Sequence, residues 1–129
     1  MKYKYIYGYW SKMIRDKVVK LVPHNGKLLD VCCGRGLLIQ DIENNISNHK
    51  IEFYGIDNSE VSLVEARQNL QNIKNVKLIK ADATDLPFED NMFDAVIFIN
   101  TTLSIEDFNI IKRILSEMAR VCHESGIII

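Results

Sequence analysis

An acid and two glycines follow one another closely at the end of an apolar segment and are candidates for a ligand-binding site. Residues 28–36 read Leu-Leu-Asp-Val-Cys-Cys-Gly-Arg-Gly, so a segment of strand type ends in Asp30 and then turns sharply. Gly34 and Gly36 carry no Cβ, and a ligand can therefore approach the main chain closely at these positions. Because backbone N–H groups in such a turn would face the ligand, the segment predicts a ligand-binding turn.

Two further acids end strand-type segments in the same way. The carboxyl ends of parallel strands meet at one edge of a sheet, where ligands bind, and Asp30, Asp57 and Asp82 would all lie there. Asp57 follows Gly36 by 21 residues, a spacing that suits a carboxylate accepting from both hydroxyls of a ribose held over the turn. Asp82 would lie on the adenine side, where it can accept from an exocyclic amine while the Ala83 N–H faces a ring nitrogen.

Apolar segments of strand type alternate with helical patterns along the chain. This alternation predicts an α/β fold that is Rossmann-like and doubly wound, with a mainly parallel sheet and helices on both faces. The predicted strands are 27–32, 51–56, 76–79, 95–99 and 127–129, and the predicted helices are 37–46, 60–71 and 105–121. Ser59 is expected to cap the second helix. The buried face of that helix is predicted to comprise Val61, Val64 and Leu70.

The amino-terminal residues differ in charge from the rest of the chain. Residues 1–27 carry seven Lys or Arg against one acid, whereas the whole chain has a net charge of −1. Alternating tyrosines precede a helical pattern that closes at Pro23 and Gly26. We therefore divide the chain into an aromatic, basic helical segment, 1–26, and a ligand-binding core, 27–129. The first segment either packs on the sheet with its lysines in solvent, forms a lid, or presents a basic amphipathic surface.

Length, charge and cysteine content narrow the class of protein. A chain of 129 residues is one domain. It has no apolar run of membrane-spanning length and no signal-like cleavage site, which predicts a cytoplasmic protein without a membrane span. Three cysteines agree with a reducing compartment, and the adjacent pair lacks zinc-ligand spacing, so no metal is expected. The nearly neutral charge also lacks the basic footprint of a nucleic-acid-binding protein.

Four blocks of the sequence resemble the class I S-adenosylmethionine-dependent methyltransferases, over residues 26–129. They are LLDVCCGRG, YGIDNSE, ADATDLPF and FEDNMFDAVIFIN, in the family's order and spacing. Together they look most like the quinone C-methyltransferase branch and its small-molecule relatives. The resemblance implies an enzyme that moves a methyl group from S-adenosylmethionine to a small-molecule acceptor by in-line displacement, leaving S-adenosylhomocysteine. It also implies a chain truncated after strand five, lacking the last strands of the full fold.

The resemblance implies a role for each matching residue. The residues it implies at the methionine and ribose end of the cofactor are Asp30, Cys32, Gly34 and Gly36. Those it implies along the ribose and the adenine are Asp57, Asn58, Asp82 and Ala83. Asn100, just past strand four, lies where family members approach the transferring methyl group and is the one catalytic candidate.

Two of these positions depart from the family pattern. Cys32 stands where the family has its first glycine, so close approach is still allowed but the backbone has fewer options. Asn58 stands where family members often place an apolar residue against the adenine, which bears on the affinity for the cofactor.

Two other functions remain open at this point. A nicotinamide-dependent oxidoreductase would share the strand, the turn and the ribose acid, but it needs a third glycine where this sequence has Ile39. A non-catalytic cofactor-binding or partner-binding fragment would fit a chain that ends at strand five. If the chain is complete, residues 127–129 would form an open apolar edge strand, which predicts a homodimer or aggregation.

Overall fold

The computed structural model describes residues 12–14, 16–99 and 105–129. The strands in these ranges are β1 (Asn25–Val31), β2 (Lys50–Asp57), β3 (Val76–Lys80), β4 (Phe93–Ile97) and β5 (Cys122–Ile128). The helices in these ranges are α1 (residues 12–14 and 16–21), α2 (Leu37–Asn45), α3 (Glu60–Asn69) and α4 (Phe108–Val121).

The five strands form one sheet in the order β3-β2-β1-β4-β5, and every neighbouring pair is parallel. Chain order reverses at β1, which pairs with β2 on one side and with β4 on the other. In doubly wound sheets, ligands bind beyond the carboxyl ends of the strands at such a reversal. The predicted α/β fold with a parallel sheet is confirmed.

Two apolar clusters cover the two faces of the sheet. Leu29 belongs to the cluster beneath α4, whereas Leu28 belongs to the cluster beneath α1 and α2, because successive strand residues face opposite sides. Val18 and Val22, in and just after α1, are buried in this second cluster. The described part of the amino-terminal segment therefore packs against the same face as α2.

The bounds of the later elements differ from the sequence expectation. β4 is Phe93–Ile97 rather than 95–99, and within it the Asp94 carboxylate accepts the Lys27 N–H at 2.8 Å. α4 begins at Phe108 rather than 105, because Asp107 caps it by accepting the Asn109 N–H at 2.8 Å. β5 begins directly after α4. Residues 122–126 are mostly polar and lie outside the predicted strand 127–129, but they belong to β5 at the sheet edge, where most of their side chains reach solvent.

The buried face of α3 also differs from the predicted one. Ser59 caps the helix as predicted, since its Oγ accepts the Ser62 N–H at 3.3 Å. The prediction was wrong for two valines: Val61 is 72% exposed and Val64 46%, whereas the side chains that face the sheet are Leu63, Ala66 and Leu70. These three are spaced three and four residues apart and form one stripe.

Substitutions on the two faces of α3 test this assignment. Leu63→Ala leaves a cavity in the core and should lower the free energy of unfolding by about 2–5 kcal/mol. Val61→Ala changes an exposed side chain and should alter it by less than about 0.5 kcal/mol. Urea denaturation followed by circular dichroism measures both, and equal losses would show that the assigned face is wrong.

Candidate functional site

A cavity of about 820 Å³ lies at the carboxyl edge of the sheet. Six of the residues implied by the resemblance line it: Cys32, Gly34, Asp57, Asn58, Asp82 and Ala83. They come from the turn after β1, the end of β2 and the segment after β3, which parallel pairing brings side by side. The remaining lining residues are Ala81, Thr84, Ile105, Glu106, Asp107, Ile110 and Ile114.

Three residues implied by the resemblance do not line this cavity. Asp30 is 4% exposed and lies in register with Gly55 of β2 and Ile97 of β4, inside the sheet. Gly36 is the N-cap of α2. Asn100 lies outside the described residues.

The two glycines of the turn have different surroundings. Gly34 has φ 54°, and a Cβ built on it would meet no heavy atom within 4 Å. Gly36 has φ 78°, and a Cβ there would lie 2.7 Å from Cδ1 of Leu70. Gly34 therefore leaves open space at the cavity, whereas Gly36 allows the turn to pack against α3.

Cys32, which stands where the family pattern has a glycine, adopts a backbone conformation that favours glycine. Its φ is 59°, in the left-handed region, where a residue with a Cβ is less stable than glycine by about 1–2 kcal/mol. The chain bears this strain at a residue that lines the cavity. Cys33, next to it, is buried, and burial raises the pKa of its thiol, which makes that thiol a poor nucleophile.

Main-chain amides hold the Asp57 carboxylate in place. Its Oδ2 accepts the Gly34 N–H and its Oδ1 accepts the Ser59 N–H, each at 2.9 Å. The first bond ties β2 to the turn after β1. Because a carboxylate oxygen has two lone pairs, each oxygen retains an acceptor site beyond these bonds.

Asp82 is ordered by a local turn. Its Oδ1 accepts both the Thr84 N–H, at 2.8 Å, and the Thr84 hydroxyl, at 2.7 Å. These bonds lower the pKa of Asp82, so the group is ionised at neutral pH. Both use the same oxygen, and within the part of the chain that the structure describes Oδ2 makes no hydrogen bond.

Asp30 is the buried acid of the site. Burial raises its pKa to about 8, and the negative charge of Asp57 adds to the rise. Its carboxyl makes no hydrogen bond to any residue in the described ranges. At neutral pH this group is therefore mostly protonated while Asp82 is ionised, although both residues end or follow a strand at the same edge.

The sequence pattern does not indicate the cavity wall that α4 provides. It predicts that residues 105–107 belong to a helix, whereas they form the segment that leads into α4. The signal available was Asp107, an acid with cap character at the carboxyl edge of the sheet. Ile110 and Ile114 follow on the first turns of α4 and complete this wall.

Arg120 joins α4 to the segment that follows Asp82. Its guanidinium donates to the carbonyl oxygens of Leu86 at 3.0 Å and Phe88 at 2.8 Å, and to the Asp90 carboxylate at 2.9 Å. Glu117 completes the arrangement by accepting from Arg120 and from the Leu86 N–H. The segment that follows Asp82 is thus fixed from α4, which the sequence patterns did not indicate.

Within residues 12–14, 16–99 and 105–129, no three side chains of His, Cys, Asp or Glu are grouped so as to hold a metal ion. None of the helices described there combines the length and the apolar character needed to cross a membrane.

A doubly wound sheet with a glycine turn, a strand-end carboxylate and a cavity over both defines a nucleotide-cofactor-binding α/β domain. The family model described as "Methyltransferase domain" matches residues 28–126. The chain belongs to this methyltransferase family, whose cofactor is S-adenosylmethionine.

Relatives and solved structures agree with this assignment. The chain is 34% identical to a demethylmenaquinone methyltransferase of Bacillus licheniformis, over 89% of this chain and 49% of that protein. It is 30% identical to a phosphatidylethanolamine N-methyltransferase of Cereibacter sphaeroides, over 96% and 59%. The crystal structure of the PH0226 protein from Pyrococcus horikoshii OT3 superposes with a TM-score of 0.81 at 30% identity, over 95% and 56%. The chain spans about half the length of the curated relatives it matches.

The strain at Cys32 can be measured with two substitutions. Cys32→Gly relieves the left-handed strain and should raise the free energy of unfolding by about 1 kcal/mol, since glycine's greater freedom when unfolded offsets part of the gain. Cys32→Ala removes the thiol but keeps the Cβ, and should not show this gain. Denaturant titration compares them, and equal stabilities would contradict the backbone explanation.

The raised pKa of Asp30 predicts a pH-dependent loss of stability. Below about pH 4 the carboxyl is protonated in both the folded and the unfolded chain, and between about pH 4 and 8 only the unfolded chain releases the proton. The wild-type protein should therefore lose stability relative to Asp30→Asn over this interval, by up to about 1.4 kcal/mol per pH unit, and no further above pH 8. Asp16→Asn, which changes an exposed side chain of α1, is the control. Parallel wild-type and Asp30→Asn profiles would refute the raised pKa.

Proposed function

We propose that this chain is the cofactor-binding core of an enzyme that transfers a methyl group from S-adenosylmethionine to a small-molecule acceptor by in-line displacement. The observation that carries the proposal is the fixed Asp57 carboxylate, held at 2.9 Å by Gly34 and Ser59 N–H groups at the edge of the cavity. Such a group accepts from a ribose diol without having to be ordered when the ligand binds.

The residues of the cavity fit the cofactor part by part. We assign the ribose to Asp57, with Asn58 beside it, and the adenine to Asp82 and Ala83. The methionine end is assigned to the turn, where the space beside Gly34 allows close approach, with Cys32 and Gly36 shaping that turn and Asp30 behind it. The bound cofactor would supply an activated methyl group on a positively charged sulfur. The chain's own residues then have to hold and orient it.

The charge of the cavity favours this cofactor over a dinucleotide. The charged residues among its described lining are Asp57, Asp82, Glu106 and Asp107, and Lys or Arg does not occur among them. Clustered carboxylates attract a sulfonium cation and repel a diphosphate. Ile39, at the place of the third dinucleotide glycine, is fully buried in α2. A nicotinamide-dependent oxidoreductase is therefore disfavoured.

We infer a small organic acceptor of quinone type. One matched relative is named for demethylmenaquinone and another for phosphatidylethanolamine. Ile105, Ile110 and Ile114 give the cavity an apolar wall that suits an uncharged ring, and the carboxylates oppose an anionic acceptor.

Asn100 stays the proposed residue nearest the transferring methyl group. Homodimerisation through β5 and a cytoplasmic location also stay predictions.

A non-catalytic cofactor-binding domain is the second candidate, because the chain spans about half the length of its curated relatives. It would bind the cofactor without transferring the methyl group. A radiolabelled methyl-transfer assay with a demethylated quinone acceptor separates the two functions.

Ligand titration tests the cofactor assignment. S-adenosylhomocysteine at about 100 times its Kd should add about 2.7 kcal/mol to the free energy of unfolding, which for a domain of this size raises the melting temperature by about 3–8 °C. NAD at the same concentration should produce no comparable shift. Thermal unfolding monitored by fluorescence measures both, and a shift with NAD alone would overturn the proposal.

The ribose assignment is tested at Asp57. Asp57→Asn keeps the size of the side chain but loses the charge and one acceptor, so it should remove most of the shift produced by S-adenosylhomocysteine. Its NH2 group cannot accept, so one of the bonds from the Gly34 and Ser59 N–H groups is lost and the free protein should be less stable. Asp57→Ala loses both bonds and should lower that stability as well. Asp16→Asn controls for the loss of one negative charge and should keep the full shift. An unchanged shift in Asp57→Asn would rule out the ribose role.

A further inference from the structure

We propose that Asn69, the last residue of α3, is a positioning residue that holds the Gly34–Gly36 turn in its ligand-binding shape. It does so through the backbone carbonyl of Arg35, and Asn69 itself does not line the cavity. The inference rests on the proposed function, because its consequence is measured as affinity for the cofactor.

One hydrogen bond carries the argument. The Asn69 side-chain amide donates to the Arg35 carbonyl oxygen at 2.9 Å, between residues 34 positions apart. Arg35 precedes Gly36, the N-cap of α2, so its carbonyl lies outside that helix and has no partner within it. Backbone carbonyls in folded proteins are paired with protein groups or with water. Asn69 supplies the partner of the Arg35 carbonyl from a different element.

The packing around Asn69 holds α3 close to the turn. A Cβ on Gly36 would lie 2.7 Å from Cδ1 of Leu70 and 3.5 Å from the Cβ of Ala66, so the glycine lets the turn rest on α3. The Gln40 side-chain amide donates to the Asn69 carbonyl oxygen at 3.4 Å. The carboxyl-terminal end of α3 is therefore in contact with both the turn and α2.

The turn is held from two sides by Asp57 and Asn69. Asp57 accepts the Gly34 N–H at 2.9 Å, which orients the peptide group between Cys33 and Gly34. The peptide group between Arg35 and Gly36 is oriented by two bonds: its carbonyl accepts from Asn69, and its N–H, that of Gly36, donates to the Cys33 carbonyl at 2.9 Å. The peptide group that joins Gly34 to Arg35 lies between these two fixed groups and is fixed as well. The Arg35 N–H is part of it. Losing either contact leaves the turn with more conformations to lose on binding.

Asn45 offers a matched control within the same chain. It is the last residue of α2, as Asn69 is the last residue of α3. Its side-chain amide also donates to a backbone carbonyl, that of Asp41, at 2.7 Å, but this bond stays within its own helix. Substituting aspartate at either exposed position removes an amide donor and places a negative charge at the carboxyl-terminal end of a helix.

The experiment compares Asn69→Asp with Asn45→Asp in the full chain. Isothermal titration with S-adenosylhomocysteine gives the affinity, and urea denaturation gives the stability of each variant. Asn69→Asp should raise the Kd about fivefold, the effect of one hydrogen bond, whereas Asn45→Asp should change it less than twofold. Both should lower the stability of the free protein to a similar extent, because the charge at the helix end is the same.

Further variants separate this inference from the proposed function. Asn69→Gln keeps an amide donor and should recover part of the affinity, and Asn69→Ala removes the donor without adding charge, so it reports the same loss if the aspartate variant does not fold. Wild-type affinity in Asn69→Asp and Asn69→Ala, or equal weakening in Asn45→Asp, would overturn the positioning role while the proposed function stands. A wild-type protein that does not bind S-adenosylhomocysteine would overturn the proposed function, and this inference with it.

Discussion

The hydrogen bond from the Gly34 N–H to the Asp57 carboxylate joins the two central strands at their carboxyl ends, and the organisation of the site depends on it. Parallel pairing of β1 with β2, in register from Asn25 and Lys50 onward, brings the turn and the acid to the same edge. A carboxylate that accepts main-chain N–H groups keeps its position without a ligand. The same bond therefore shapes the turn and presents the acid to the cavity.

This edge concentrates features that reduce stability. Cys32 occupies a left-handed conformation at φ 59°, and Asp30 is a buried carboxyl whose pKa is raised to about 8. Strain and buried acids persist where the surrounding structure holds them in place. Here the surrounding structure is the sheet core, in which Leu28, Leu29 and Val31 are fully buried. Burial of these apolar side chains of β1 thus offsets the loss of stability caused by Cys32 and Asp30.

Sequence reasoning succeeded where a single strand and its turn contain the whole signal. The glycine turn, the strand-end acids Asp57 and Asp82 and the Ser59 cap could all be read from local spacing and residue type. It failed where the choice depends on a neighbouring element. Val61 and Leu63 have similar apolar character, and only the position of α3 over the sheet decides that Leu63 is buried and Val61 exposed.

Periodicity, Cβ sterics and short spacings are properties of the amino-acid sequence, and they account for the alternation of strands and helices, the turn that allows close approach and the acids that end the strands. Three contacts instead depend on how the elements pack: residues 105–114 wall the cavity, Arg120 holds the segment after Asp82, and Asn69 donates to the Arg35 carbonyl. These contacts join residues about 20 to 35 positions apart or different layers of the fold, and they form only when the strands pair and the helices pack on the sheet.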